Sequence, residues 1–263
     1  MSNEPHPLDV VSPARIAQLV EDVAVRKAKL GFVQVFALAV LAGAFIAMGA
    51  AFFTATITGS ELGMGPTRLI GGLAFSLGLV LVIIGGAELF TGNSLIVLAR
   101  ADGRITWGQL LRNWGIVYVG NMVGGVGTAV LVHLTGLLDG SDVGATAISV
   151  AEAKMALPAS EAFFRGVLCN VLVCLAVWMC FAAHSVSGKM AVIVFPITAF
   201  VALGFEHSVA NMYMIPVGIL AGAEADVAGL LGNLLFVTLG NVVGGGVLVA
   251  LVYWLIYLRP VKG

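Results

Sequence analysis

A chain of 263 residues in which 60% of positions are hydrophobic and only 10% charged is far poorer in charge than a soluble domain, which carries about a quarter. Its 13 basic and 14 acidic residues give a formal net charge of −1, which leaves no basic face for nucleic acid. No phosphate loop, zinc signature or nucleophile motif is visible, so the sequence gives no sign of an enzyme, a cofactor or a metal centre.

The charges are separated by long uncharged windows: 31 residues between Lys29 and Glu61, 26 between Arg112 and Asp139, 23 between Arg165 and Lys189, and 32 between Asp226 and Arg259. Each exceeds the roughly 20 helical residues that cross a hydrocarbon core. Two more windows, Arg68 to Arg100 and Lys189 to Glu224, contain one acid each, Glu88 and Glu206. Stretches such as VFALAVLAGAFIAMGAAFF are apolar on every side, whereas barrel strands would alternate. The expected fold is an all-α membrane protein with six transmembrane helices.

In chain order, residues 1–30 read as a cytoplasmic segment with no cleavable signal peptide. Within it, SPARIAQLVEDVAVRKAK predicts a helix capped by Ser12 with Pro13 at its first position. Ile16, Leu19, Val20 and Val23 share one face, which suits a helix lying on the inner membrane surface. A single transmembrane domain follows over 31–258. Its first span covers about 32–57, and its second begins near Leu69 and meets GGAELFTGNS. The third covers about 110–134, and a long outer loop runs to Pro158, where the fourth begins. The fifth starts near Met190 and meets GFEHSVANMYMIP, the sixth covers about 227–258, and 259–263 form a cytoplasmic tail. The cysteines Cys169, Cys174 and Cys180 share one apolar stretch and read as small buried hydrophobes. With the N-terminus inside, ten of the basic residues fall on the inner side and three, Arg68, Lys154 and Arg165, on the outer. The positive-inside rule therefore predicts that both termini are cytoplasmic.

The interrupted second and fifth spans match each other. GAELFTGN at 86–93 aligns with GFEHSVAN at 204–211, pairing Gly86 with Gly204, Glu88 with Glu206 and Asn93 with Asn211. Further on, GNMVGG at 120–125 aligns with GNVVGG at 240–245. The chain thus reads as two related halves, about 31–135 and 158–258, and three spans per half force opposite orientations. Inverted repeats with broken helices near the midplane are a design of membrane transport proteins.

Glu88 and Glu206 are costly in hydrocarbon and are site candidates for that reason. The preferred reading is structural: each carboxylate accepts from backbone N–H groups exposed at its break, with Gly92 and the other glycines letting the chain turn. His207 stands apart, because its counterpart is the apolar Leu89. An imidazole donates, accepts and titrates near neutral pH, which suits an anion or weak-acid path, with satisfied core packing as the competing account. Thr91, Asn170 and Lys154 add donors or positive charge. Phe75, Leu79, Phe90, Phe200 and Val209 are candidates for apolar narrowings, although phenylalanine is also ordinary filling.

Through AELFTGN, RGVLCN, GFEHSVANMYMIP and GNVVGG, the sequence resembles the formate/nitrite transporter family over about 27–257. The resemblance implies an aquaporin-like protomer in a homopentamer, with one path through each protomer. It places His207 and Thr91 at the path's centre and Phe75, Leu79 and Phe200 at a cytoplasmic narrowing. It puts Leu89, Phe90 and Val209 near an outer narrowing, with Lys154, Asn170 and Glu206 tuning the charge around the histidine.

The expected function is passage of a small monovalent anion of a weak acid, foremost formate, across the inner membrane of a prokaryote. The protein's partners are then the lipid bilayer, the anion and protons. Because charge is costly in apolar rings, protonation of the anion at or near His207 would let it cross as a neutral acid. Nitrite and hydrosulfide fit the same argument. A neutral-solute or water channel and a non-transport scaffold are the competing classes.

Overall fold

The computed structural model describes residues 11–224 and 226–259. The first ten residues and most of the expected C-terminal tail lie outside them. Helix α1 (Pro13–Lys29) starts where the capping chemistry predicts, with the Arg15 N–H donating to Ser12 Oγ at 3.4 Å. Its apolar face is covered by protein: Ile16, Ala17 and Val20 pack with Leu95, Leu98, Trp178 and Val249. α1 is thus docked on the rest of the chain rather than held only by a membrane surface. Arg104 pins it from outside, 2.8 Å from both Glu21 and Asp22. Burial lifts the Glu21 carboxyl above the usual carboxylate range, and Arg104 opposes that rise.

The next helices are α2 (Phe32–Ile57) and α3 (Met64–Gly85), followed by a break and then a 3-10 turn (Gly92–Ile96) running into α4 (Val97–Ala101). α5 (Trp107–Leu134) completes the first half. The expected outer loop contains a helix that the sequence reading missed, α6 (Asp142–Met155), capped by Ser141 and packed on α9. Its alanine-rich sequence is too short to span and too weakly amphipathic to declare itself. After it come α7 (Ala159–Cys180), α8 (Val186–Ala202), a second break, and α9 (Ser208–Ala221). The last apolar run holds α10 (Val227–Val242), a stretch of wide π turns (Val243–Leu251) and α11 (Val252–Tyr257). Among the described residues, five helical runs are long and apolar enough to cross a membrane: α2, α3, α5, α7 and 227–257; α8 and α9 are shorter apolar helices.

In lipid, helices associate through close van der Waals contact, so small residues sit where backbones meet. That explains the two GN(M/V)VGG stretches. A Cβ at Gly124 of α5 would run into the Val40 carbonyl of α2, and one at Gly244 would run into the Val167 carbonyl of α7. The π turns were not expected. Where they begin, the Asn241 carbonyl accepts from Asn170 Nδ2 at 2.6 Å, and Gly245 lies so close to Asn170 and Cys174 that no side chain fits.

Candidate functional site

Both helices that the sequence interrupts do stop. α3 ends at Gly85 and the chain turns at Gly86 in the left-handed region (φ 78°); α8 ends at Ala202 and turns at Gly204 (φ 70°). The two breaks meet at one contact, Thr91 Oγ1 to His207 Nε2 at 2.9 Å, and both residues are buried.

The surrounding chain orients that contact. His207 is the N-cap of α9, and its Nδ1 accepts from the Ala210 N–H at 3.0 Å. Nδ1 therefore carries no proton in this arrangement. In the neutral ring the hydrogen is on Nε2 and donates to Thr91 Oγ1, which leaves the threonine hydroxyl hydrogen free for another acceptor. Phe200 lies nearly parallel to the imidazole, 5.9 Å between centroids and 17° between planes, and Phe75 meets Phe200 edge-on at 5.5 Å. Thr91 is fixed through its carbonyl, which accepts from Asn170 Nδ2 at 3.2 Å and from the Cys174 thiol at 3.4 Å. Asn170 Nδ2 also lies 3.1 Å from Ser94 Oγ. Its amide hydrogens are thus committed to the protein, and Asn170 positions the break instead of offering a donor to an anion.

Replacing Thr91 by Val keeps the shape and removes the hydroxyl. The variant is expected to assemble and to pass substrate about fivefold more slowly, the equivalent of one hydrogen bond worth roughly 1 kcal/mol. Wild-type flux in assembled Thr91→Val would remove this hydroxyl from the site.

The glutamates do not cap the breaks, as the sequence reading expected. Glu88 accepts from Lys27 Nζ at 2.9 Å and Asn93 Nδ2 at 2.7 Å; Glu206 accepts from Lys154 Nζ at 2.8 and 3.0 Å and Asn211 Nδ2 at 2.7 Å. The Asn93 amide continues to Asn113 Oδ1 at 2.9 Å, and Asn113 Nδ2 returns to the Lys27 carbonyl at 3.2 Å. In the second half Asn211 reaches Asn233 Oδ1 at 2.7 Å, and Asn233 Nδ2 returns to the Lys154 carbonyl at 2.9 Å. The backbone work falls to two asparagines. Asn121 Oδ1 accepts from the Phe90 N–H at 2.9 Å, while its Nδ2 donates to the carbonyls of Ala39 and Glu88 at 2.7 and 2.9 Å. Asn241 Oδ1 accepts from the Ser208 N–H at 2.9 Å, and its Nδ2 donates to the carbonyls of Gly166 and Glu206 at 2.8 and 3.0 Å. Lys27, Asn113, Asn121, Asn233 and Asn241 were not singled out from the sequence. Asn121 and Asn241 stand inside the repeated motif, so comparing its polar positions would have found them. Lys27 carried no such signal, because it precedes the aligned stretch.

Cavities flank the central contact on both sides. On the side of α6, one of about 110 Å³ is bordered by Phe75, Phe200, Lys154, Glu206 and His207, and a wider one of about 560 Å³ by Arg68, Lys154, Arg165 and Glu206. On the side of α1, one cavity is bordered by Lys27, Leu79, Leu89 and Asn93, and another of about 260 Å³ by Lys27, Gly86, Glu88, Cys180 and Lys189. This corrects the expected grouping. Phe75 and Leu79 lie one turn apart on α3 and straddle the centre, so Phe75 joins Phe200 on the Lys154 side and Leu79 joins Leu89 on the Lys27 side. Phe90 and Val209 are buried but border none of these cavities; Phe90 packs edge-on against Tyr118 at 5.0 Å and Trp114 at 6.0 Å.

Comparison with known proteins extends this picture to the whole chain. Residues 14–255 match the formate/nitrite transporter family. The formate channel FocA of Escherichia coli K12 is 41% identical over 97% of both chains, and a probable formate transporter of Methanothermobacter thermautotrophicus is 41% identical over 94% of this chain and 97% of its own. Among solved structures, an FNT family ion channel superposes with a TM-score of 0.85 at 35% identity, covering 92% of this chain and 98% of its own. A pentameric formate channel with formate bound superposes with a TM-score of 0.79 at 42% identity, covering 87% and 98%. The broken helices joined at Thr91 and His207 thus lie in a fold shared over most of the chain with solved channels, and the chain belongs to the formate/nitrite transporter family.

Proposed function

We propose that the protein is a membrane channel for a small monovalent anion of a weak acid, foremost formate, and that passage is coupled to a proton through His207. The observation that carries this reading is the buried Thr91–His207 contact between two helix breaks, with apolar-walled cavities on either side. An anion reaching this centre meets the Thr91 hydroxyl hydrogen, which is free because the imidazole N–H donates to the threonine oxygen. It must then pass Phe75 and Phe200 on one side or Leu79 and Leu89 on the other, where a neutral acid crosses at lower cost than a charge. The relatives that carry formate in their names, and the formate bound to a structural neighbour, support the choice of substrate.

The matching networks around Glu88 and Glu206 support an inverted pair of three-helix repeats, with α8 and α9 together making the sixth crossing of an aquaporin-like protomer. In this reading α1 and α6 are counterparts, residues 1–30 and 259–263 are cytoplasmic, residues 31–258 form one channel domain in the inner membrane of a prokaryote, and the functional unit is a homopentamer, as in the pentameric neighbour. The roles of Gly92, Asn93, Gly204 and Asn211 are to form and hold the two breaks.

Flux of formate, nitrite and hydrosulfide measured side by side in liposomes tests the reading. Formate is expected to pass fastest; negligible flux of all three would overturn it, and osmotic water flux far above any weak-acid flux would mark a neutral-solute channel. Lys154→Glu sets a second carboxylate against the buried Glu206. An uncompensated buried charge costs about 3–5 kcal/mol, so this variant is expected to lose assembled protein on gel filtration, an outcome that recovery at wild-type yield would contradict.

A further inference from the structure

The two lysines beside the centre are natural candidates for drawing an anion from water, but each is neutralised where it stands. Lys154 Nζ lies 2.8 and 3.0 Å from the oxygens of Glu206, and Lys27 Nζ lies 2.9 Å from Glu88. Seen from beyond a few ångströms, such a pair is a dipole and not a net charge. The long-range positive field of each mouth has to come from cations with no acid beside them.

Each mouth holds one, near the start of a helix that leads to the centre. On the α1 side, Lys189 of α8 borders the cavity of about 260 Å³, whose one acid is Glu88, already held by Lys27. Among the described residues the Lys189 ammonium pairs with no carboxylate. On the α6 side, Arg68 of α3 borders the cavity of about 560 Å³. Among the described residues its guanidinium reaches the Ala202 carbonyl at 3.4 Å and no carboxylate. Arg165 borders the same cavity but is paired with Glu161 at 2.7 Å. Glu61, in the loop before α3, does not border that cavity. α3 and α8 run toward the centre from opposite sides, so Arg68 and Lys189 are counterparts in the two mouths.

We propose that Arg68 and Lys189 are the anion-collecting residues of the channel. Each attracts the small carboxylate from water into its own mouth, and the deeper Lys–Glu pairs hold the helix breaks in shape. The proposal rests on the anion-channel reading above, and the following measurements separate the two.

Formate flux is measured in vesicles of known orientation at low ionic strength. Lys189→Gln is expected to raise the half-saturating formate concentration about threefold or more when formate is supplied from the α1 side, and Arg68→Gln to do so from the α6 side. The maximal rate at saturating formate should stay unchanged, and Lys189→Arg and Arg68→Lys should behave as wild type. In roughly 0.5 M salt the differences should vanish, because the Debye length is then only about 4 Å. The wild-type protein gives a test that needs no variant: its own half-saturation should rise with ionic strength. A salt-independent wild-type half-saturation, or Gln variants with unaltered half-saturation at low salt, would overturn this assignment while leaving the channel reading intact. A wild-type protein that passes no formate would instead sink the channel reading.

Discussion

His207→Asn is expected to assemble, to go on passing formate, and to lose both proton coupling and most of the pH dependence of formate flux. Asparagine is a strong N-cap residue, so its side-chain oxygen can accept the Ala210 N–H that His207 Nδ1 accepts now. The break at the start of α9 therefore survives the change, whereas His207→Leu would forfeit about 1 kcal/mol of capping as well. What Asn cannot do is take up and release a proton. The wild-type geometry sets the order of events. Nδ1 is occupied by a backbone N–H, so the imidazole becomes a proton donor with a neutral product only when Nδ1 is protonated and that bond is given up. Until then Nε2–H is a hydrogen-bond donor and nothing more, a role an amide can copy. Formate and proton fluxes in proteoliposomes from about pH 5 to 8, bracketing the reference histidine range, distinguish the two roles once the changing supply of formic acid and its leak through bare lipid are subtracted. Coincident corrected curves for mutant and wild type would show that His207 donates a hydrogen bond without moving protons.

What the sequence made legible was the pattern visible in one dimension. Uncharged windows located the spans, the Ser12–Pro13 pair located the start of α1, and the repeat of Gly, Glu and Asn located both breaks. The family resemblance placed His207 and Thr91 together at the path's centre, and in the structure the two side chains lie 2.9 Å apart. The reading failed where the answer depends on which groups meet across the fold. A carboxylate near a helix break suggests capping, but the nearest unsatisfied cations, Lys27 and Lys154, arrive from α1 and α6, far away in sequence. The resemblance grouped Phe75 with Leu79, yet a helix that crosses the centre puts successive turns on opposite sides of it, and the two residues border different cavities. α6 was missed because neither length nor charge pattern distinguishes a short alanine-rich helix from a loop.

The largest loss of stability is expected from Asn121→Leu and Asn241→Leu. Each asparagine ties three buried backbone groups: the N–H of Phe90 or Ser208 at the break, the glutamate carbonyl within it, and a carbonyl on the neighbouring α2 or α7. Leucine is close in volume but satisfies none of them. Leaving a buried polar group unpaired costs about 1–3 kcal/mol, and the low dielectric around these asparagines keeps water from compensating. Three orphaned groups therefore predict a loss of roughly 3–9 kcal/mol for each variant, well above that of Thr91→Val. Folding and transport should separate cleanly between these residues: Asn121→Leu and Asn241→Leu should lower the thermal unfolding temperature and the yield of assembled protein, while His207→Asn and Thr91→Val leave both near wild type. Gel filtration and thermal unfolding in detergent measure this directly. If either asparagine variant assembles with wild-type thermal stability, its three hydrogen bonds do not hold the break, and the conformation of that loop must be maintained by the adjoining Lys–Glu–Asn network instead.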